Sequence, residues 1–421
     1  MTLLLYFTTI LFAILLILFV KKNSGPTSPA SFFTYYWCVQ ILIMVIIWAD
    51  FLYFNYHGLI YILICLFVYD IGYTSIGGGI YNNKNTVSYK HNSCMHIYLF
   101  VLFFAFFSAF YGISSSGFSL SNLFDLSSFL EMSNQNSADR YSGDAEQGGV
   151  IEKLLGINSY TCPFIGGVLF HYFQKEKKWM SYIAILPMVI GGLAQGVKMG
   201  IITGTFLWFI GLILSSKLLS IRIYLDFKRI LVLVIVAIGF VGLLAITMMF
   251  RIGHFDIDTL YIVAGKTVSY ALGHLPAFDM WFNQTDISLA DLTFGGKTFF
   301  GITNTLGIMK REAGIFTTMY TISRDGDMTN VFTIFRFFLE DFGYIGTLIF
   351  LFFVGRLSKV LYCIFLSKKN IYRNTSIMCA LYFFISWSMV ASIFAYATYI
   401  CMFFYIAFIL RYVFQVRAQQ S

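Results

Sequence analysis

Long apolar runs alternate with short polar connections along this chain, and the alternation predicts membrane-spanning helices. A helix needs about 20 apolar residues to cross the hydrocarbon core of a bilayer. About eleven runs reach or approach this length, and the sixth and the last look short. The predicted spans are Thr2–Val20, Ser31–Trp48, Leu59–Ile76, His96–Tyr111, Leu154–Phe173, Met180–Ala194, Val197–Ser215, Ile230–Met249, Val331–Val354, Ser376–Ile393 and Thr398–Leu410.

The basic residues orient these predicted spans. No Lys or Arg precedes the first run, whereas Lys21 and Lys22 follow it directly. This order is the reverse of that in a cleaved signal peptide, so it predicts an anchor whose N terminus lies outside. If the spans alternate from there, more than half of the 28 basic residues fall in cytoplasmic segments, whose only acids are Glu176 and Asp226. The predicted topology is therefore N-out and C-in.

Two longer segments, residues 112–153 and 251–330, are predicted on the extracytoplasmic side. The second contains an apolar stretch, Tyr261–Phe282, that is too broken by Lys266, His274, Pro276 and Asp279 to span lipid. We predict one or two helices there, lying at the membrane interface with the apolar face down. Long loops between membrane helices often carry function. Any chemistry is accordingly expected on the side facing away from the cytoplasm.

Composition supports this prediction and excludes several classes of function. Of 421 residues, 58% are hydrophobic and only 11% are charged, with a mean hydropathy of +0.76. A soluble domain carries roughly a quarter charged residues, so we predict one all-α transmembrane domain over residues 1–421. The net charge of +8 does not indicate nucleic-acid binding, because the basic residues form no footprint for it. The cysteines form no C-x-x-C pair and no metal-ligand spacing is found, so no metal or cofactor is predicted.

Three charged residues, Arg336, Glu340 and Asp341, lie in the ninth apolar run. A charge at mid-membrane costs about 2.5–3.5 kcal/mol on insertion scales, so buried charges often mark function. Arg336 and Glu340 are four residues apart and are predicted to pair on one helix face. Two interpretations stay open: a structural pair that holds helices together, or a group that lines a wet cavity open to the outside. One acid is expected to stay free, which favours the cavity.

Two further basic residues, Lys198 and Arg251, are predicted at the outer ends of the seventh and eighth spans. Gly196, Gly200 and Gly204 form a small-residue stripe that favours close helix packing. Lys198 lies about 200° round the helix from Gly196, so it is predicted to point away from that stripe. It either binds an anion or extends its ammonium to the lipid headgroups. Arg251 lies on the side that the positive-inside rule disfavours, which makes it the stronger candidate.

Two segments and the plan of the whole chain resemble a known family. The segment Thr329–Gly346 contains Thr-Asn-Val-Phe-Thr early and Asp-Phe-Gly-x-x-Gly late, and a second segment, Tyr270–Phe278, reads Tyr-Ala-Leu-Gly-His-Leu-Pro-Ala-Phe. Together with about eleven spans and a dominant outer loop in the second half, they resemble the bacterial O-antigen polymerases. Lys198 stands where members often carry Arg. The R-x(10)-G pair of some members is missing, since Arg140 is nine residues from Gly149.

The resemblance implies a substrate and a reaction. The substrate would be an undecaprenyl-diphosphate-linked oligosaccharide at the outer face of the bacterial inner membrane, with membrane lipid and a chain-length-regulating membrane protein as partners. The growing glycan would move onto a new repeat unit with inversion at the anomeric carbon. Fixed cations would stabilise the departing diphosphate, and a carboxylate would act as general base. The implied residues are Glu340, Asp341 and His274 for catalysis, Arg251, Arg336 and Lys198 for the diphosphate, and Arg140, Tyr270 and Asp279 for the rest of the substrate.

Three other functions stay open. An O-antigen ligase performs the same chemistry on a lipid A-core acceptor, and the residues do not separate it from a polymerase. A flippase or other transporter usually shows internal repeats and broken helices in matching halves, which this sequence lacks. A membrane acyltransferase would be indicated by a His-x-x-x-Asp pair. His254 and Asp258 have that spacing, but nothing around them supports this function.

Overall fold

The chain is mostly helical in its computed structural model, which describes residues 2–77, 85–115, 118–119, 121, 124–142, 149–221, 227–252, 256–309, 316 and 318–418. The helices are α1 (Thr2–Asn23), α2 (Pro29–Ile47), α3 (His57–Thr74), α4 (His91–Ser115), α5 (Leu126–Ser142), α6 (Val150–Val168), α7 (Trp179–Ile183), α8 (Leu186–Ala194), α9 (Lys198–Leu218), α10 (Phe227–Ile252), α11 (Ile257–Leu272), α12 (His274–Gln284), α13 (Phe300–Thr305), α14 (Ile334–Leu366), α15 (Ile371–Trp387) and α16 (Ala397–Val413). Short strands also occur: β1 (Asn85–Tyr89), β2 (Tyr320–Thr321), β3 (Met328–Thr329) and β4 (Phe414–Ala418).

Six helices, α1, α2, α3, α4, α9 and α14, are long and apolar enough to cross a membrane. Each of them lies at a predicted span, which confirms a mostly helical fold of the membrane type. Several apolar side chains on these helices face outward, including Phe103, 64% exposed, and Ile345, 74% exposed. Large exposed apolar surfaces of this kind suit contact with lipid. The count of eleven spans and their orientation stay predictions.

The sixth predicted span, Met180–Ala194, is wrong as a single helix. The structure has two short helices there, α7 and α8, separated by a turn. Pro187 lies in the first turn of α8. Proline lacks the backbone N–H that a continuing helix needs, so it is tolerated at a helix start and disfavoured in a helix interior. The sequence pattern was apolar on both sides of this proline and therefore hid the break.

Two further features depart from the predicted plan. The first predicted loop, residues 112–153, contains a helix of its own, α5. The all-α prediction also omits a small antiparallel ribbon, in which β1 pairs with β4 from Asn85 opposite Ala418 to Tyr89 opposite Phe414. These strands are separated by more than three hundred residues, so no local sequence pattern predicts their pairing. The stretch predicted to form one or two interfacial helices is occupied by α11 and α12.

The chain divides into two compact units. The first unit comprises Met1–Asn82, Val268–Lys369 and Ala380–Ile400. The second unit comprises Asn83–Thr267, Asn370–Cys379 and Cys401–Ser421. Each unit is assembled from segments that are distant in the sequence.

The first unit is built around α3 and α14, which lie unusually close together. A Cβ placed on Gly72 would come within 2.1 Å of the Phe352 carbonyl oxygen, and one on Gly355 within 2.1 Å of the Tyr69 carbonyl oxygen. Real Cβ atoms do not tolerate such distances, so the two helices approach through their glycines. Small residues permit this kind of backbone contact between membrane helices.

The second unit repeats this arrangement with α6 and α9. A Cβ on Gly167 would come within 1.9 Å of the Trp208 carbonyl oxygen, and one on Gly211 within 2.2 Å of the Phe164 carbonyl oxygen. The predicted glycine stripe packs less tightly. A Cβ on Gly204 would come within 3.1 Å of the Met188 Cβ on α8, and Gly196 lies in the turn before α9. The predicted stripe is thus on α9, a helix that does pack closely, but the closest backbone contact of α9 is made through Gly211.

We expect Gly355→Ala to lower the stability of the protein. Its methyl group would overlap the Tyr69 carbonyl oxygen, so α3 and α14 would have to separate, at a cost of about 1–3 kcal/mol. Thermal unfolding of the purified protein in detergent measures this loss. Gly242→Ala on α10 is the control, since a Cβ there meets nothing within 4 Å. A Gly355→Ala variant as stable as this control would contradict the packing argument.

Candidate functional site

A break in α14 creates the site. Gly343 has φ 65° and ψ −175°, a conformation that interrupts the helix and that residues with a Cβ avoid. The break leaves carbonyl groups of the preceding turn without helical partners. Two N–H groups of a loop between α12 and α13 take their place: Thr293 donates to the Glu340 carbonyl at 3.1 Å, and Phe294 donates to the Asp341 carbonyl at 3.0 Å. This loop, residues 293–298, is therefore fixed to the break.

Asp341 fastens the same loop with its side chain. The carboxylate is fully buried and accepts hydrogen bonds from the Lys297 N–H at 2.9 Å, the Thr298 N–H at 2.7 Å and the Thr293 hydroxyl. Hydrogen bonds to a charged acceptor are stronger than neutral ones. The expectation that one acid stays free is wrong for Asp341, because both of its oxygens are engaged. The carboxylate therefore anchors the loop, and a catalytic role for Asp341 stays a prediction.

Glu340 lies between two cations. Its Oε1 is 2.8 Å from Arg336 Nε and its Oε2 is 2.6 Å from Lys297 Nζ. The predicted pairing of Arg336 with Glu340 is thus confirmed. The side chain of Glu340 is 15% exposed and that of Lys297 is 35% exposed, so the group reaches the protein surface at the lysine. We call Arg336, Glu340, Asp341 and Lys297 the α14 charge cluster.

The guanidinium of Arg336 is enclosed by aromatic rings. Its central carbon is 3.8 Å from the centre of the Phe316 ring, 4.1 Å from that of Phe332 and 4.8 Å from that of Trp281. Rings in these positions attract a cation and restrict its motion. Arg336 is 7% exposed, and its Nη1 has no hydrogen-bond partner among the residues that the structure describes. The positively charged Nη1 group of Arg336 can therefore donate a hydrogen bond to an anionic acceptor, as anion binding requires.

Asp279 is a buried acid that binds backbone N–H groups. It is fully buried on α12, where its Oδ1 accepts from the Gly58 N–H at 2.6 Å and its Oδ2 from the Asn55 N–H. Both donors lie at the start of α3, whose first turn carries free N–H groups that favour a carboxylate. Asp279 thus caps α3. Contact of Asp279 with the substrate stays a prediction.

His274, predicted as a catalytic base, is also buried. Its ring meets that of Trp37 edge-on at 5.7 Å between centres, and the side chain is 4% exposed. Burial lowers the pKa of His274 to about 3, because desolvation disfavours the imidazolium. Its Nε2 has no hydrogen-bond partner among the described residues. The imidazole is therefore neutral at physiological pH and lies away from solvent.

The second unit brings Lys198 and Arg251 together. The Lys198 ammonium is 3.1 Å from the sulfur of Met248, and Arg251 and Lys266 lie close enough to repel its charge. Asn134 on α5 donates to the Arg251 carbonyl at 2.9 Å, which fixes the end of α10. Like charges gathered in one place favour an anion. Lys198 contacts Met248 of α10, while Gly204 of the same helix lies against Met188 of α8.

The remaining predicted residues have less defined surroundings. Tyr270 lies near the end of α11 and is 53% exposed. Arg140 lies on α5, and its side chain falls outside the described residues, as does His254 entirely. No group of three or more His, Cys, Asp or Glu side chains suited to a metal ion occurs within the described ranges.

Sequence reasoning missed Lys297, the second cation of the α14 charge cluster, and the aromatic rings around Arg336. The signal for Lys297 was the run Phe-Gly-Gly-Lys-Thr over residues 294–298. Its glycines permit the tight backbone path, with φ of 93° at Gly295, that presents the Lys297 and Thr298 N–H groups to Asp341. That run lies more than forty residues before Asp341, so only the folded chain shows the contact.

Comparison of the chain with protein-family models, with curated proteins and with solved structures found no match.

We expect Asp341→Asn to destabilise the loop of residues 293–298 strongly. The amide would lose the negative charge and would turn an N–H₂ group toward the donors of the loop, at a cost of about 1.5–3 kcal/mol for each lost bond to a charged group. Thermal unfolding and proteolysis of residues 293–298 measure the effect. Asp291→Asn is the matched control, because Asp291 lies in the same region with an exposed side chain. Equal behaviour of the two variants would remove the anchoring role.

We expect the free energy of unfolding to decrease as the pH falls from about 7 to 5, in part through His274. The unfolded imidazole binds a proton near its ordinary pKa of 6.5, whereas the folded one does so near pH 3. The stability from this group is therefore complete above pH 6.5 and is lost progressively as the pH approaches 3. His274→Phe preserves a ring against Trp37 and should flatten the pH dependence. An unchanged slope in that variant would show that other groups cause the decline.

Proposed function

We propose that this protein polymerises lipid-linked oligosaccharide repeat units by glycosyl transfer at the outer face of the bacterial inner membrane. The observation that carries the proposal is the guanidinium of Arg336, which is buried and enclosed by rings, and whose Nη1 has no hydrogen-bond partner in the described part of the chain. It lies at one end of a helix long and apolar enough to cross a membrane. A cation at the end of a membrane-spanning helix would lie near the lipid headgroups, where the diphosphate of a membrane-anchored lipid is found.

The proposal includes the orientation of the chain. About eleven spans with the N terminus outside and the C terminus in the cytoplasm would put the α14 charge cluster on the outer side. The basic residues Arg356 and Lys359, further along α14, would then lie toward the cytoplasm, where the positive-inside rule favours them. Six helices with the required length and composition support the membrane location.

The reaction makes one bond and breaks another. The hydroxyl oxygen of the incoming repeat unit attacks the anomeric carbon of the growing glycan, and the bond from that carbon to the diphosphate oxygen breaks. Attack opposite the leaving group inverts the configuration at the anomeric carbon. The hydroxyl proton passes to a base, and the diphosphate leaves with an added negative charge. Arg336 and Lys297 stabilise this charge, since preorganised cations act most strongly where charge develops.

Glu340 is the base in this scheme. In the structure its two oxygens are held by Arg336 and Lys297. A diphosphate that binds these cations competes with Glu340 for them and releases the carboxylate to accept the hydroxyl proton. Substrate binding would thus generate the base. Lys198 and Arg251 of the second unit stay predicted ligands of the anionic lipid headgroup.

We expect Arg336→Ala to abolish chain growth and Arg336→Lys to reduce its rate by about 10²–10³-fold, because the lysine preserves charge without the bidentate fork. The length distribution of the surface glycan in cells that express each variant measures this effect. Arg324→Ala is the control, since Arg324 is exposed in the β2–β3 turn. Membrane insertion and protein level should be unchanged in all three variants.

Full-length glycan in the Arg336→Ala variant would refute the proposal.

A second experiment separates polymerase from ligase. The purified protein receives undecaprenyl-diphosphate-linked repeat units as the only substrate. Chain growth identifies a polymerase. Growth that appears only after a lipid A-core acceptor is added identifies a ligase.

A further inference from the structure

Phe294, in the loop of residues 293–298, combines an exposed ring with a costly backbone conformation. It is 79% exposed. Its φ of 48° lies in the left-handed region, which bulky residues seldom adopt. A glycine would adopt this conformation without strain, and Gly295 and Gly296 follow directly. Strained backbone of this kind points to a function for the residue that carries it.

The position of Phe294 is fixed by the break in α14. Its N–H donates to the Asp341 carbonyl at 3.0 Å, and the Asp341 carboxylate holds the N–H of Lys297 at 2.9 Å. A Cβ placed on Gly343 would come within 3.7 Å of the Leu292 Cδ2. The loop therefore lies against the start of the segment that follows Gly343.

That segment carries an exposed apolar stripe on one face of α14. Ile345 is 74% exposed, Ile349 55%, Phe353 61% and Leu357 56%, and residues four apart share a helix face. Because α14 is long and apolar enough to cross a membrane, this stripe suits contact with lipid. The residue that Phe294 contacts through its N–H precedes Ile345 by four positions. Phe294 thus lies near the end of a surface suited to lipid.

Other apolar side chains are exposed in the same part of the chain. The Thr303 hydroxyl on α13 donates to the Gly296 carbonyl at 3.1 Å, which folds α13 back on the loop. Leu306 and Ile308, which follow α13, are 68% and 69% exposed. Exposure of several large apolar side chains in one compact loop is unfavourable in water. A membrane surface would remove this cost.

We propose that Phe294 inserts among the lipids around the start of segment 344–366 and anchors its loop to the membrane surface. Phenylalanine and leucine side chains are buried at the boundary between headgroups and acyl chains when a segment lies on a membrane. Lys297, three residues further on, would then lie at the level of the lipid phosphates, whose charge is opposite to its own. The proposal requires that α14 spans a membrane, and it does not depend on glycosyl transfer.

A Phe294→Trp variant in lipid nanodiscs tests the proposal, because it preserves an aromatic ring and adds a fluorophore. The added emission, measured against the unchanged protein, should be lost when the lipids carry bromine on their acyl chains. Ile345→Trp is the control within the exposed stripe and should lose its added emission to the same extent. Arg324→Trp is the control in water, since Arg324 is exposed in the β2–β3 turn; its added emission should persist.

A spin label on Phe294→Cys provides a second measurement in case the tryptophan variant does not fold. Cys401, the exposed one of the native cysteines, is first replaced by serine. Oxygen, which dissolves in lipid, should reach the label more readily than a water-soluble nickel chelate, as at Ile345→Cys, and the order should reverse at Arg324→Cys.

The proposal is overturned if Phe294→Trp keeps its added emission in brominated nanodiscs as Arg324→Trp does, or if the label at residue 294 is reached more readily by nickel. It is also overturned if the emission is lost only in nanodiscs that hold two copies of the protein, because a second copy then covers the ring.

Discussion

Backbone contact through glycine sets the distance between the central helices in both units. Gly72 and Gly355 each lie against the backbone of the opposite helix in the first unit, and Gly167 and Gly211 do the same in the second. Because each helix contributes a glycine to its contact, the pair fixes both the separation of the axes and their relative height. The contact also sets the relative positions of acidic and basic groups in the first unit. Its α3 carries the buried acid Asp70, and its α14 carries Arg336, Glu340 and Asp341 of the charge cluster.

The candidate site shows which interactions a sequence reveals and which it hides. Arg336 and Glu340 are one helical turn apart, so their pairing follows from local geometry and was predicted. Asp341 and Asp279 bind backbone N–H groups that are distant in the sequence, and such groups carry no side-chain signature. An acid that serves as a structural anchor therefore looks like a free one until the chain is folded. The same limit hid Lys297, whose partner is forty-three residues away.

The fold was predictable where apolar runs are long and uninterrupted, as in α1, α9 and α14. Hydropathy reports a local preference for lipid and says nothing about pairing across the chain. It consequently missed the ribbon of β1 and β4. It also missed the separation of α7 from α8, since Pro187 interrupts a helix without making the segment polar. These features depend on backbone chemistry and on distant contacts, which hydropathy does not describe.

The break at Gly343 has a consequence for biogenesis. The segment 344–366 that follows it would measure about 34 Å as a helix, enough to cross the hydrocarbon core without the turn that precedes Gly343. Arg336, Glu340 and Asp341 would then stay outside the segment that a translocon releases into lipid. Arg356 would lie near the middle of that segment, so its long side chain would have to extend toward the cytoplasm to keep its charge in water. During synthesis, Arg356 is therefore the charge that membrane integration must accommodate, and the glycine keeps the charges of the preceding turn out of that step.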